Sequence, residues 1–129
     1  MKTNLVISEN NGFIVGDSFE LAVTVLAVPA TVTITKAWWT LKVLLADADP
    51  GAMQLVIDAT PAASGAILDD GSVSGNGILS FTAGTADTTA LTAGTAYLFD
   101  FQLKYDDDSI HTIGKGVATP GAGVTDATT

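Results

Sequence analysis

The run Tyr97-Leu98-Phe99-Asp100-Phe101-Gln102-Leu103-Lys104-Tyr105 decides the fold. Tyr97, Phe99, Phe101, Leu103 and Tyr105 recur at every second position, and Leu98, Asp100, Gln102 and Lys104 fill the places between them. Successive side chains of a strand point to opposite faces, so this period of two predicts a strand with one face in a core. Asp106-Asp107-Asp108-Ser109 then reads as a hairpin loop and Ile110–Val117 as the returning strand, with Gly114 and Gly116 at candidate bulge positions.

The same period recurs on either side of this hairpin. Phe19–Val28 alternates Phe19, Leu21, Val23, Val25 and Ala27 with Glu20, Ala22, Thr24, Leu26 and Val28, a strand expected to be covered on both sides and closed by Pro29. Thr31–Leu45 sets Ala37, Trp39, Leu41, Val43 and Leu45 on one face and Trp38, Thr40, Lys42 and Leu44 on the other; Trp39 is assigned to the core side. Met53–Ile57, Ala66–Leu68 and Gly77–Phe81 read as short strands, and Asp87 as the N-cap of one helical turn reaching Leu91. An N-terminal arm, Met1 to Gly12, and a tail of small residues, Ala118 to Thr129, are expected to be loosely held. Seven or eight short strands without an amphipathic helix predict a single all-β domain over residues 1–129, an antiparallel sandwich or small barrel.

Composition narrows the function classes. The chain has 129 residues, 47% of them hydrophobic and 15% charged, which is one domain's length and too apolar for charge-driven disorder. No cysteine is present, so disulfides, thiolate metal sites and a cysteine nucleophile are excluded. Five lysines against fourteen acids give a net charge of -9, which disfavours binding to nucleic acid. The longest uncharged apolar stretch, Leu21 to Thr35, contains Pro29 and is shorter than the roughly 20 residues of a spanning helix. The first residues lack the apolar run of a secretory signal, so the product is expected to begin in a cytoplasm. A mean hydropathy of +0.41 beside such acidity suggests apolar surface covered by other copies or a partner.

Catalytic chemistry is sparse. His111 is the only histidine, lies directly after the hairpin, and has no serine in a nucleophile elbow to serve; it reads as a plain strand residue. Asp106, Asp107 and Asp108 could hold Ca²⁺, but neighbouring carboxylates in an extended loop diverge and no EF-hand spacing exists, so a solvated turn is preferred. Asp47, Asp49 and Asp58 read the same way. Trp38 and Trp39 invite a sugar-stacking reading, yet adjacent strand residues face opposite sides and cannot form one platform. The glycines form neither a dinucleotide fingerprint nor a P-loop. Catalytic residues, cofactor and metal are all expected to be absent.

The order of turn and packing motifs adds a resemblance. Gly16-Asp17 opens the first long strand, Asp87-Thr88-Thr89-Ala90-Leu91 precedes Gly94-Thr95-Ala96-Tyr97-Leu98-Phe99-Asp100, and the acidic hairpin leads to His111-Thr112-Ile113-Gly114-Lys115-Gly116-Val117 and Val124-Thr125. This order resembles the immunoglobulin-like domain at the N-terminus of phage baseplate upper proteins and in small tail-associated proteins. Phe99 stands where that pattern usually has tyrosine, and Val28-Pro29-Ala30 replaces its D-L-T-G turn. The resemblance implies a non-enzymatic virion structural protein, assembled in the host cytoplasm. It would be present as a homo-oligomer or in many copies, docked on other phage structural proteins of a tail, baseplate or capsid. A carbohydrate- or cell-surface-binding β-sandwich module is the alternative.

Overall fold

The computed structural model describes residues 4–44, 46–49 and 51–123. Its elements in chain order are β1 (Asn4–Ser8), a 3₁₀ turn (Glu9–Asn11), β2 (Phe19–Val25), β3 (Ile34–Lys42), β4 (Met53–Asp58), β5 (Gly65–Asp70), β6 (Gly77–Ala83), α1 (Thr85–Thr89), β7 (Tyr97–Tyr105) and β8 (Ile110–Thr119). They form an all-β domain of two sheets, one ordered β1-β8-β7-β3-β4 and the other β2-β6-β5. Neither sheet closes into a barrel.

The strand parity read from the sequence holds in β7, whose odd-numbered residues from Tyr97 to Tyr105 are all buried. It holds in β3 for Ala37, Trp39 and Leu41. Trp39 is 0% exposed. All five phenylalanines, Phe13, Phe19, Phe81, Phe99 and Phe101, place their ring centroids 5.8–6.2 Å from its ring. Phe19 and Phe81 come from the three-stranded sheet and Phe99 and Phe101 from the five-stranded one, so this aromatic cluster joins the two. Tilted and edge-on ring pairs of this kind add to the gain from burial alone.

Several expectations need correction. The sheets are not wholly antiparallel, because β1 pairs in parallel with β8, Asn4 opposite Lys115 and Ser8 opposite Thr119. Residues 4–8 of the presumed loose arm are therefore a sheet strand. The presumed tail is also held from Ala118 to Gly121: Ala118 is buried within β8, Pro120 is buried, and Gly121 donates to the Phe13 carbonyl and accepts from the Val15 amide. Residues 124–129 lie outside the described residues.

β2 stops at Val25, since Ala27 takes a left-handed φ of 58° and its amide turns to the Asn76 side chain at 3.1 Å. Its outward residues Glu20, Ala22 and Thr24 are exposed, so β2 is covered on one side only. β3 ends at Lys42, which leaves Val43 51% exposed rather than in the core; Leu45 falls outside the described residues. The helix begins three residues before the expected place. Gly84 is its N-cap, and Asp87 sits in the first turn with its carboxylate accepting the Gly84 amide at 2.8 Å. The bulge in the β7–β8 ladder inserts Ile113 next to Gly114, whereas Gly116 stays in register opposite Phe99.

Candidate functional site

The outer face of the five-stranded sheet carries the side chains that the core rejects, and register arranges them in rows. Lys115, Asp100, Thr40 and Gln54 stand opposite one another across β8, β7, β3 and β4. On one side of this row runs an apolar one, Val6, Val117 and Leu98, ending at Lys42; on the other lie Thr112, Gln102 and Trp38. Neighbouring strands are about 4.8 Å apart and alternate residues along a strand about 6.6 Å apart, so the three rows share a surface the size of a small ligand.

That surface is a groove of about 560 Å³, within the roughly 300–1,000 Å³ of small-molecule sites. Lys42 and Asp49 join at 2.8 Å on the side of the β3–β4 loop, and Val6 lines the side of β1. The floor is unusually well covered for an outward face: Thr40 is only 7% exposed and accepts a hydrogen bond from Gln54 Nε2 at 3.1 Å. Gln102 Nε2 reaches Thr112 Oγ1 at 3.3 Å. Burial pushes the Asp100 carboxyl above its ordinary pKa; the positive charge of Lys42 opposes this and the negative charge of Asp49 adds to it. Among the described residues no hydrogen bond or ion pair reaches the Asp100 carboxylate.

Of the residues singled out from the sequence, Asp49 lines this groove and Trp38 borders it, and the others lie elsewhere. His111 is exposed, packs its ring 5.1 Å from that of Tyr105, and brings Nε2 to 3.1 Å from Ser109 Oγ. The Ser109 hydroxyl donates to Asp107 Oδ1 at 2.5 Å, which holds the Asp107 carboxyl below its ordinary pKa. A serine whose proton is committed to a carboxylate is not poised to give it to a histidine, so the trio lacks the geometry of a nucleophile and base.

The three hairpin aspartates diverge. Asp106 accepts the Thr33 amide at 3.2 Å, Asp107 turns to Ser109, and Asp108 pairs with Lys104 Nζ at 3.3 Å. Asp47 and Asp58 likewise accept local amides, from Leu44 and Thr60, while Asp49 holds Lys42. Among the described residues no group of three or more metal-ligating side chains is placed to hold an ion. Trp38 and Trp39 do face opposite sides: Trp39 is core, and Trp38 is half-buried on the outer face with Lys36 Nζ 5.6 Å from its ring centroid.

No single stretch of sequence shows the groove, because its residues come from five separate segments. Alternation along β7 does mark Leu98, Asp100 and Gln102 as outward, but nothing local signals that Lys115 and Val6 border them. One further polar contact involves Tyr97, first residue of β7, which accepts the Thr92 amide on its hydroxyl at 2.8 Å. No family model, curated protein or solved structure matches the chain.

Proposed function

We propose that the chain is an immunoglobulin-like β-sandwich and acts as a non-enzymatic, multi-copy structural protein of a phage particle, docking on a tail, baseplate or capsid surface. Strand order supports the fold reading: β8, β7, β3 and β4 match the G, F, C and C′ strands of one immunoglobulin sheet, and β2, β6 and β5 match B, E and D of the other. Two side chains support it further. Trp39 is the buried tryptophan expected on strand C, and Tyr97, bonded back to the Thr92 amide at the start of β7, makes the corner expected before strand F. Phe99, two residues after Tyr97, stands where the second cysteine of that fold falls, and packs its ring edge-on against Trp39 at 6.2 Å.

The docking role rests on one observation, the apolar end of the three-stranded sheet. Leu26 follows β2, Val73 lies in the β5–β6 loop that Ala27 and Val28 bond to, and Leu68 is the bulged residue of β5, with Ile78 beside it on β6. Leu26 is 76% and Val73 95% exposed, which water does not favour for a group of large aliphatic side chains. A net charge of -9 keeps free copies apart at long range, so contact through this end requires a scaffold that aligns it.

Mass spectrometry of purified, mature particles tests the role. The chain should be present, and a Val73→Asp variant that melts like wild type should be depleted from particles. Particles that lack the chain altogether would defeat the reading.

A further inference from the structure

We propose that the groove on the outer face of the five-stranded sheet is a binding site for a neutral oligosaccharide. This goes beyond the docking role, which uses the opposite sheet. The charges of the groove cancel. Lys42 and Lys115 balance Asp49 and Asp100 in the lining of a chain that is otherwise strongly acidic. An anionic ligand would meet two carboxylates and the general negative field, and a cationic one two ammonium groups, so neither gains from the groove as a whole.

Polar and apolar groups divide by row. The central row offers an ammonium donor at Lys115, a carboxylate acceptor at Asp100 and a hydroxyl at Thr40, with the Gln102 amide and Thr112 hydroxyl in the next row. Val117 and Leu98 lie along the other side as an apolar strip. A sugar ring presents this combination: hydroxyls around its edge that both donate and accept, and a face of C–H groups. A purely apolar ligand would strip water from Asp100, Thr40 and Lys115 without replacing its hydrogen bonds. An extended peptide would seek the unpaired amides of a sheet edge, which the floor, on β8, β7 and β3, does not offer.

The groove also holds unspent bonding capacity. The Asp100 carboxylate is half-buried yet receives no hydrogen bond from the described residues, and its burial raises its pKa. A sugar hydroxyl donating to it would satisfy the carboxylate without requiring a compensating charge.

Titration of the purified chain with maltotriose, cellotriose and chitotriose, followed by amide chemical shifts and calorimetry, tests the proposal. At least one should bind, shifting the amides of Asp100, Gln102 and Lys115. Gln102→Ala and Lys115→Ala, each shown to fold by its melting curve, should each weaken that binding about tenfold, the scale of one lost hydrogen bond. Absence of binding by all three up to about 10 mM would overturn the proposal. So would binding that both variants leave intact. Concentration-dependent shifts of the same amides without sugar, showing a second copy in the groove, would overturn it too. None of these outcomes bears on whether the chain is found in particles, so the two readings can fail separately.

Discussion

Trp39 Nε1 is buried in the middle of five phenylalanine rings and has no hydrogen-bond partner among the described residues. An orphaned donor costs about 1–3 kcal/mol, and the rings around it, Phe99 at an interplanar angle of 85° among them, offer only a weak acceptor face. The cluster tolerates this because its stabilisation comes from area and shape rather than polarity. Phe101→Ala should accordingly cost about 3–5 kcal/mol in a urea titration, the range for deleting a buried aromatic. Lys42→Ala should cost no more than about 1 kcal/mol, since its partner Asp49 is largely exposed. Asp100 behaves in the opposite sense. Its native pKa is raised, so above the ordinary carboxylate range and below the native value the folded state binds more protons than the unfolded state, and stability falls as pH rises through that window. Asp100→Asn should therefore gain stability over wild type at pH 7 and lose that gain at a pH below the ordinary carboxylate range. Comparing the two proteins at both pH values cancels Asp70 and Asp107, whose pKa values are lowered by hydrogen bonds from Ser72 and Ser109 and whose contributions have the opposite sign. An equal difference at both pH values would contradict the assignment.

Among the elements, β1 owes its place to a glycine of the neighbouring strand. A Cβ at Gly116 would fall on the backbone of Leu5, so β1 approaches β8 closely only because that position carries no side chain. Gly116→Ala should cost about 1–3 kcal/mol, as for other overpacked sites, and hydrogen exchange should show lost protection at Val6 and Ile7 while β7 amides stay protected. Uniform loss across both sheets would mean that β1 is not a separable unit. The hairpin between β7 and β8 needs no metal to hold its shape, because each of its aspartates already has a protein partner. Melting curves in calcium and in chelator should superimpose for wild type and for the triple Asp106, Asp107, Asp108 to asparagine variant; a bound ion would raise the wild-type midpoint by mass action.

At the scale of the molecule, the two sheets divide the work of the surface. The five-stranded sheet turns its polar rows outward into a groove, and the three-stranded sheet ends in exposed leucine, isoleucine and valine. β1 is tied to β8, and Gly121 to Phe13 and Val15. If the apolar end mediates contact between copies, lowering the salt concentration should weaken self-association of the free protein, because repulsion between charges of -9 then reaches further. Sedimentation at low and high salt measures this directly. Stronger association at low salt would instead indicate attraction between opposite charges, and would remove the apolar end as its cause.

The amino-acid order by itself determined the all-β class, the β7–β8 hairpin, and the inward face of β3 and β7, because alternation along one strand is a local property that needs no partner to be read. It also separated Trp38 from Trp39 for the same reason. The tertiary structure alone decided which distant segments meet. A parallel partner for β1 leaves no turn signal, since the two strands lie at opposite ends of the chain. The groove was half legible: Asp100 and Gln102 follow from alternation, but Thr112 and Lys115 are three residues apart and would be placed on opposite faces by a strict period of two. The bulge at Ile113 absorbs one residue and brings both to the outer face, opposite Gln102 and Asp100. Gly114 marks the neighbourhood of the bulge in the sequence, but which residue it absorbs is set by how two strands twist against each other under the load of their neighbours.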